Sequence, residues 1–400
     1  MKLSRKIALV ASVGAVGAAA AVLPMASSHA ATACAPAWSA SSVYVGGNTA
    51  SQSGHNYTAK WWTQNESPAT NSSQWAVWAD NGVCGGTTPT TPPTTNPTTN
   101  PTTPPPSSGT KMAAAPYLFP GWGNPPAPAT VVNATGIKAF TLAFVLASNG
   151  CNPAWDGSTG LTGGVHASTI TAIRAAGADV VPSIGGWSGN KLGPNCSTPE
   201  ALAAAYQKVI DTFQLKAIDV DIENTDEFEN YVVADRIVDA LRIVKQKNPN
   251  VKTILTFGTT PTGPNVHGLR LIQQAKAKNA NIDVFTQMPF DFNGHADMYA
   301  STIGATEGLK NALKTTFGYT DAQAYSRIGI SGMNGLSDQQ EVTTVETWTR
   351  IRDYATSKGL ARFAFWGVNR DRGCAGGGVV SECSGIAQAD WAFTRVSAGF

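Results

Sequence analysis

The stretch Ala217-Ile218-Asp219-Val220-Asp221-Ile222-Glu223 alternates strictly between apolar and acidic residues. A period of two is strand geometry, so Asp219, Asp221 and Glu223 share one face and Ile218, Val220 and Ile222 the other. Taken alone, such a strand reads either as the wet edge of an antiparallel sheet or as an active site. Its surroundings decide. A helical pattern runs before it from Pro199 to Thr212, and another after it from Glu227 to Asn248. A strand between two helices belongs to a βαβ unit, whose strands are buried on both faces. Three acids turned into a buried interior need a purpose.

The chain has 400 residues, more than one average domain, and a net charge of only +2 with no basic stretch. That argues against a nucleic-acid partner. Eleven Trp beside a modest Lys and Arg content suit a neutral polymer such as a glycan. Residues 1–30 read as a secretory signal: Lys2, Arg5 and Lys6 lead, an apolar run follows from Ile7 to Leu23, and Ser28-His29-Ala30 offers a small-residue cleavage site. The expectation is therefore a secreted, extracellular protein with no membrane partner. Export makes cysteines available for disulfides. Six cysteines allow 15 pairings; proximity selects Cys34 with Cys84, Cys151 with Cys196 and Cys374 with Cys383. None has zinc-site spacing.

Residues 31–84 form a small aromatic segment, with Trp38, Tyr44, Tyr57, Trp61, Trp62, Trp75 and Trp78 among Ser, Asn, Gly and Thr. So short a chain has little core, and a Cys34–Cys84 bridge would staple it. Some of its aromatics must fill that core. Strand alternation sets the adjacent Trp61 and Trp62 on opposite faces, so at least one reaches solvent, where an indole can stack on a sugar ring. The order Trp38, Tyr44, Ala59-Lys60-Trp61-Trp62-Thr63, Trp75 resembles the small chitin- and cellulose-binding modules of bacterial chitinases and cellulases. That resemblance implies that Trp61 and Trp62 form the binding face. Residues 85–110 contain only Gly, Thr, Pro, Asn and Ser. The segment 85–111 is read as a Pro/Thr-rich linker, able to span about 80 Å at ~3.1 Å per residue.

The remainder, 112–400, alternates strand and helix patterns. Strands are expected at Tyr117–Phe119, Phe140–Leu146, Val180–Ile184, Ile218–Glu223, Thr253–Phe257, Val284–Met288, Ile328–Ser331 and Arg362–Trp366. Further helices are expected at Val266 to Lys278, Glu307 to Thr316 and Thr343 to Lys358. Eight strands in alternation with helices point to an α/β fold of the (β/α)8 TIM barrel type. A doubly wound sheet would usually open its first helix with a glycine fingerprint, which is absent here. Pro182, inside a central strand, is the one discordant residue. In a barrel the chemistry lies at the C-terminal strand ends. There stand Ser183-Ile184-Gly185-Gly186-Trp187, then Asp219, Asp221 and Glu223, then Gln287-Met288-Pro289-Phe290-Asp291, then Trp366.

Ser-x-Gly-Gly on the third strand and Asp-x-Asp-x-Glu on the fourth resemble family 18 glycoside hydrolases, the chitinases, across the whole of 112–400. The resemblance implies retaining hydrolysis of β-1,4 links between N-acetylglucosamine units, with chitin and its oligomers as partners and neither cofactor nor metal. It implies Glu223 as general acid and base, Asp221 as the residue that orients the substrate's 2-acetamido nucleophile, and Asp219 as its support with Ser183 bonded nearby. Trp366 would floor the sugar at the cut, and Gln287, Met288, Phe290 and Asp291 would wall it. Trp122, Trp155 and Trp187, expected in loops at the mouth, are candidates for stacking on neighbouring sugars, Trp187 foremost. Two positions depart from the family. Lys216 stands where an aspartate is frequent, at the expected strand base. Phe290 stands where many members have Tyr, and it has no hydroxyl to donate. A non-catalytic chitin-binding lectin on the same barrel, an endo-β-N-acetylglucosaminidase acting on glycoproteins, and a metal-dependent hydrolase are the other readings. The lectin would ordinarily lack Glu223, and the metal site lacks nearby His or Asn ligands. The enzyme is expected to act as a monomer.

Overall fold

The acidic stretch is a strand buried along its whole length, Ala217–Ile222. Its apolar residues Ile218, Val220 and Ile222 pack in the main core, while Asp219 and Asp221 are equally buried on the opposite face. Glu223 lies one residue past the strand end. The structure is a computed structural model that describes residues 32–44, 47–60, 63–73, 76–85 and 111–400. Residues 1–30, most of the expected linker, and Trp61, Trp62 and Trp75 lie outside those described. The described residues fall into two units.

In the larger unit, eight parallel strands are found among the described residues: β1 (Tyr117–Leu118), β2 (Ala139–Ser148), β3 (Asp179–Gly185), β4 (Ala217–Ile222), β5 (Lys252–Gly258), β6 (Val284–Met288), β7 (Ile328–Met333) and β8 (Arg362–Trp366). They pair in sequence order from β1 to β8. A helix follows each: α1 (Pro128–Thr135), α2 (Gly164–Ala175), α3 (Pro199–Phe213), α4 (Tyr231–Lys247), α5 (Val266–Ala277), α6 (Met298–Phe317), α7 (Val345–Lys358) and α8 (Ala392–Ala398). The result is a mixed α/β fold. The segment that leads into β1 bonds to β8 and its approach, through Met112 N to Ala361 O and Ala115 N to Phe363 O.

Alternation along each strand divides its side chains. Ile218, Val220, Leu255, Phe257, Phe363 and Phe365 join the core shared with the helices. The other face stacks in layers. Val181, Ala217, Ile254, Val284 and Ala361 pack together as an apolar base. Above them come Thr141, Ser183, Asp219, Thr256, Thr286 and Arg362, joined by hydrogen bonds.

Local chemistry explains most boundaries. Pro199 opens α3 behind Thr198, whose side chain accepts the Ala201 N–H. The helix expected from Glu227 begins instead at Tyr231, because Asn230 caps it by accepting from Val233. Glu227 therefore sits in the turn ahead of α4. The helix expected at Glu307 starts earlier, at Met298, capped by Asp297. Pro182 is tolerated in β3 because the β2–β3 register shifts between Pro182 and Ile184. One loop expectation fails: Trp155 ends an antiparallel strand, Asn152–Trp155, added to β2.

In the smaller unit, Thr49–Gln52, His55–Ala59 and Trp78–Val83 form an antiparallel sheet. Tyr44, Ala50, Tyr57, Ala59 and Trp78 make its core, with Tyr44 edge-on to Trp78 at 4.9 Å. Disulfides join Cys34 to Cys84, Cys151 to Cys196 and Cys374 to Cys383, the pairs chosen by proximity. Among the described residues no helix is long and apolar enough to cross a membrane.

The Cys151–Cys196 bridge spans 45 residues and ties the end of β2 to the loop after β3. Closing a loop of that length stabilises by about 2–4 kcal/mol. Replacing both cysteines by Ser is expected to cost that much in denaturant unfolding of the folded protein.

Candidate active site

Asp219 is fully buried at the centre of the polar layer. Its Oδ2 accepts from Tyr117 Oη at 2.7 Å and Ser183 Oγ at 2.8 Å, and its Oδ1 from Thr256 Oγ1 at 2.5 Å. The Arg362 guanidinium stands 3.4 Å from Oδ1. Arg362 in turn donates to the hydroxyls of Thr256, Thr286 and Thr141. Burial works against the guanidinium charge, but Asp219, with Tyr117 and Asp221, more than offsets it and holds Arg362 above its ordinary pKa. The pair is thus a compensated buried charge, tolerable because donors fill its remaining acceptor positions.

Asp221, two residues on, has no such company. Burial, then the charges of Glu223 and Asp219, push its carboxyl well above the usual range, with Arg362 opposing. It hydrogen-bonds Glu223, while its Oδ1 is buried without a partner. Glu223 opens onto the cleft. Its carboxyl is pushed up to about 7, chiefly by burial; the bond from Asp221 and the charge of Lys191 pull it down, and Asp291 and Asp219 push it up. The proton affinity of each acid therefore depends on the other.

Gly185 and Gly186 let β3 approach this strand. Gly185 has φ +117°, and a Cβ there would meet Asp221 O at 2.1 Å. Gly186, at φ +84°, donates its N–H to the same carbonyl at 3.0 Å, and a Cβ on it would strike the Phe144 ring. Both the left-handed φ and the close approach require glycine.

A cleft of about 810 Å³ opens above the acids, lined among others by Asp221, Glu223, Trp187, Met288, Phe290, Asp291 and Trp366. Trp366 stacks on Phe144 at 5.7 Å and lies 5.8 Å from Trp122. Tyr117 meets its edge at 5.8 Å. Trp187 is 65% exposed and Trp122 42%, so both indoles are free to meet a ligand. Asp291, at φ +59°, accepts the Gln339 N–H, and burial raises its carboxyl.

Two expected residues are elsewhere. Gln287 is fully buried and donates to Thr306 Oγ1 on α6. Strand alternation is the reason: Met288 lines the cleft and Thr286 meets Arg362, so Gln287 between them faces the helix. Trp155 is also fully buried, donating its indole N–H to Leu161 O and stacking on His166 at 4.7 Å. It is packing.

Residues 37–79 match carbohydrate-binding module family 5/12. The chain is 26% identical to a probable bifunctional chitinase/lysozyme of Escherichia coli (strain K12), over 84% of this chain and 45% of that protein. It is 27% identical to Endochitinase 11 of Metarhizium anisopliae, over 59% of this chain and 48% of that one. It thus spans about half the length of the curated relatives it matches. The solved catalytic domain of a hyperthermophilic chitinase from Pyrococcus furiosus is 30% identical with a TM-score of 0.66, covering 74% of this chain and 97% of that one. The chain belongs to the family 18 chitinases.

Around these acids the structure places several residues that sequence reasoning missed. Tyr117, Thr256 and Arg362 complete the setting of Asp219, and Phe119 and Phe144 build the aromatic floor around Trp366. Arg362 had a readable signal: Arg362, Ala364 and Trp366 alternate with Phe363 and Phe365, so the arginine shares the face of Trp366. Lys216 is 87% exposed and pairs with Asp179 at 2.8 Å, at the strand base. Among the described residues no group of three or more His, Cys, Asp or Glu is arranged to hold a metal ion.

Removing one partner of a buried pair strands the other charge, at about 3–5 kcal/mol. Arg362→Met is expected to lose that much stability in chemical denaturation, whereas Lys216→Met, on the exposed base, is expected to stay within about 1 kcal/mol.

Proposed function

We propose that the protein is a secreted chitinase that hydrolyses β-1,4 links between N-acetylglucosamine units, with the substrate supplying the nucleophile. One observation carries this reading: Asp221, bonded to Glu223, lines the same cleft as Glu223 and Trp366. A 2-acetamido N–H placed over Trp366 would meet the Asp221 carboxyl from that cleft. Asp221 would then hold the acetamido group so that its carbonyl oxygen attacks the anomeric carbon. Glu223, protonated up to about pH 7, would give its proton to the departing glycosidic oxygen and later take one from water. Burial first, then the charges of Glu223 and Asp219, would keep the Asp221 proton in place. Ordinary retaining glycosidases need a second carboxylate nucleophile; a substrate-assisted one does not. Met288, Phe290 and Asp291 would wall the central sugar, and Trp187 would stack on a neighbour.

The same reading takes the parallel sheet to be a closed (β/α)8 barrel. The bonds from Met112 and Ala115 to the β8 region support this, as does Arg362 reaching hydroxyls on β2, β5 and β6 at once. Residues 1–30 would be the export signal, 31–84 a chitin-binding module, 85–111 a linker and 112–400 the catalytic domain. A bound module raises the local concentration of substrate without adding contacts at the cut. The enzyme is taken to work as a monomer.

Glu223→Gln is expected to bind N-acetylglucosamine oligomers but to lose nearly all hydrolysis, at least about a thousandfold. In the wild type the newly formed reducing end should appear by NMR as the β anomer, and kcat/KM should fall as pH rises through about 7, where Glu223 loses its proton. An α product would exclude the mechanism. Replacing both Trp61 and Trp62 by Ala should weaken adsorption to solid chitin while soluble oligomers are cut as before; equal adsorption would remove the module assignment.

A further inference from the structure

Lys191 has no part in the chemistry just described, yet it is only 2% exposed. Burying an ammonium is costly unless its donors are used. Here Nζ donates to two main-chain carbonyls, Trp187 O at 3.0 Å and Gly189 O at 3.2 Å. The Trp187 carbonyl accepts a second bond, from Asn224 Nδ2 at 2.5 Å, and Asn224 directly follows Glu223. The loop between β3 and Lys191 is therefore fastened to the segment just beyond β4. Its far end is held too, by Ala147 N to Asn190 O at 2.7 Å. Gly186 and Gly189, at φ +84° and +90°, give the loop its tight path, and a Cβ on Gly189 would fall 2.5 Å from Leu146 Cδ1. What the loop presents is the exposed Trp187 ring, on the lining of the cleft.

We propose that Lys191 is a positioning residue, which fixes the main chain of Trp187 against Asn224 so that the indole and Glu223 meet one sugar chain at a set spacing. The inference rests on the chitinase reading. A neutral donor would satisfy the carbonyls as well; the charge has a further effect. It faces two carboxylates. One is Glu223, whose proton affinity it lowers. The other is Glu227, buried with Oε2 unpartnered and raised to about 8, by burial first and then by Asp226, with Lys191 and the Gly193 N–H opposing. The remaining charges facing Glu223 are Asp219, Asp221 and Asp291.

The test is steady-state kinetics of Lys191→Met, Lys191→Arg and Asn224→Ala on N-acetylglucosamine oligomers of increasing length, across pH. Lys191→Met is expected to raise KM about tenfold for oligomers long enough to reach Trp187, and much less for shorter ones. It should also move the alkaline limb of kcat/KM to higher pH, since Glu223 without its cationic neighbour keeps its proton longer. Lys191→Arg retains the charge and should leave that limb in place. Asn224→Ala should reproduce the length-dependent KM change alone. If Lys191→Met folds and shifts neither readout, the assignment is wrong; if it does not fold, an unchanged length dependence in Asn224→Ala overturns it. A wild type that cuts no oligomer overturns the chitinase reading itself, whereas an active wild type matched by all its variants overturns only the role of Lys191.

Discussion

The Asp219–Arg362 contact is what the interior of the larger unit is built to house. A carboxylate and a guanidinium, both fully buried, stand 3.4 Å apart on β4 and β8. Neither is supportable without the hydroxyls of Tyr117, Thr141, Ser183, Thr256 and Thr286, which come from five other strands. The layer is polar because of the pair, and the apolar base beneath it supplies the packing. Above it, burial first, and then the charges of Glu223 and Asp219, raise the proton affinity of Asp221.

The proton on Glu223 is governed first by burial, which pushes its affinity up; the bond from Asp221 and the charge of Lys191 pull it back, and Asp291 and Asp219 add a smaller push upward. An unbalanced site would leave the acid either always charged or never able to let go. The same crowding requires the backbone of β3 to pass very close to Asp221, which the two glycines permit.

Much of this was legible in the sequence. The eight parallel strands were readable to within a few residues from their apolar runs, whereas the helices Pro128–Thr135, Gly164–Ala175 and Ala392–Ala398 were not read. The acids were readable because alternation along β4 is strict. What stayed hidden depends on contacts between distant segments. Tyr117 and Asp219 stand 102 residues apart in the chain, and nothing local marks the tyrosine as a partner. Thr256 is an ordinary strand residue until its neighbour is known. Gln287 was misplaced although the alternation that located Asp219 also turns it toward α6. Trp155 was misread because an antiparallel strand follows β2 where a loop was expected. The start of α4 was hidden because the cap falls at Asn230, three residues past Glu227.

The loop that carries Trp187 is fastened through its peptide carbonyls, so its path owes nothing to the ring it displays. Identity and placement are thereby separated at this position. Natural drift or deliberate exchange of the side chain changes what this edge of the cleft presents, while the main chain behind it keeps the same bonds.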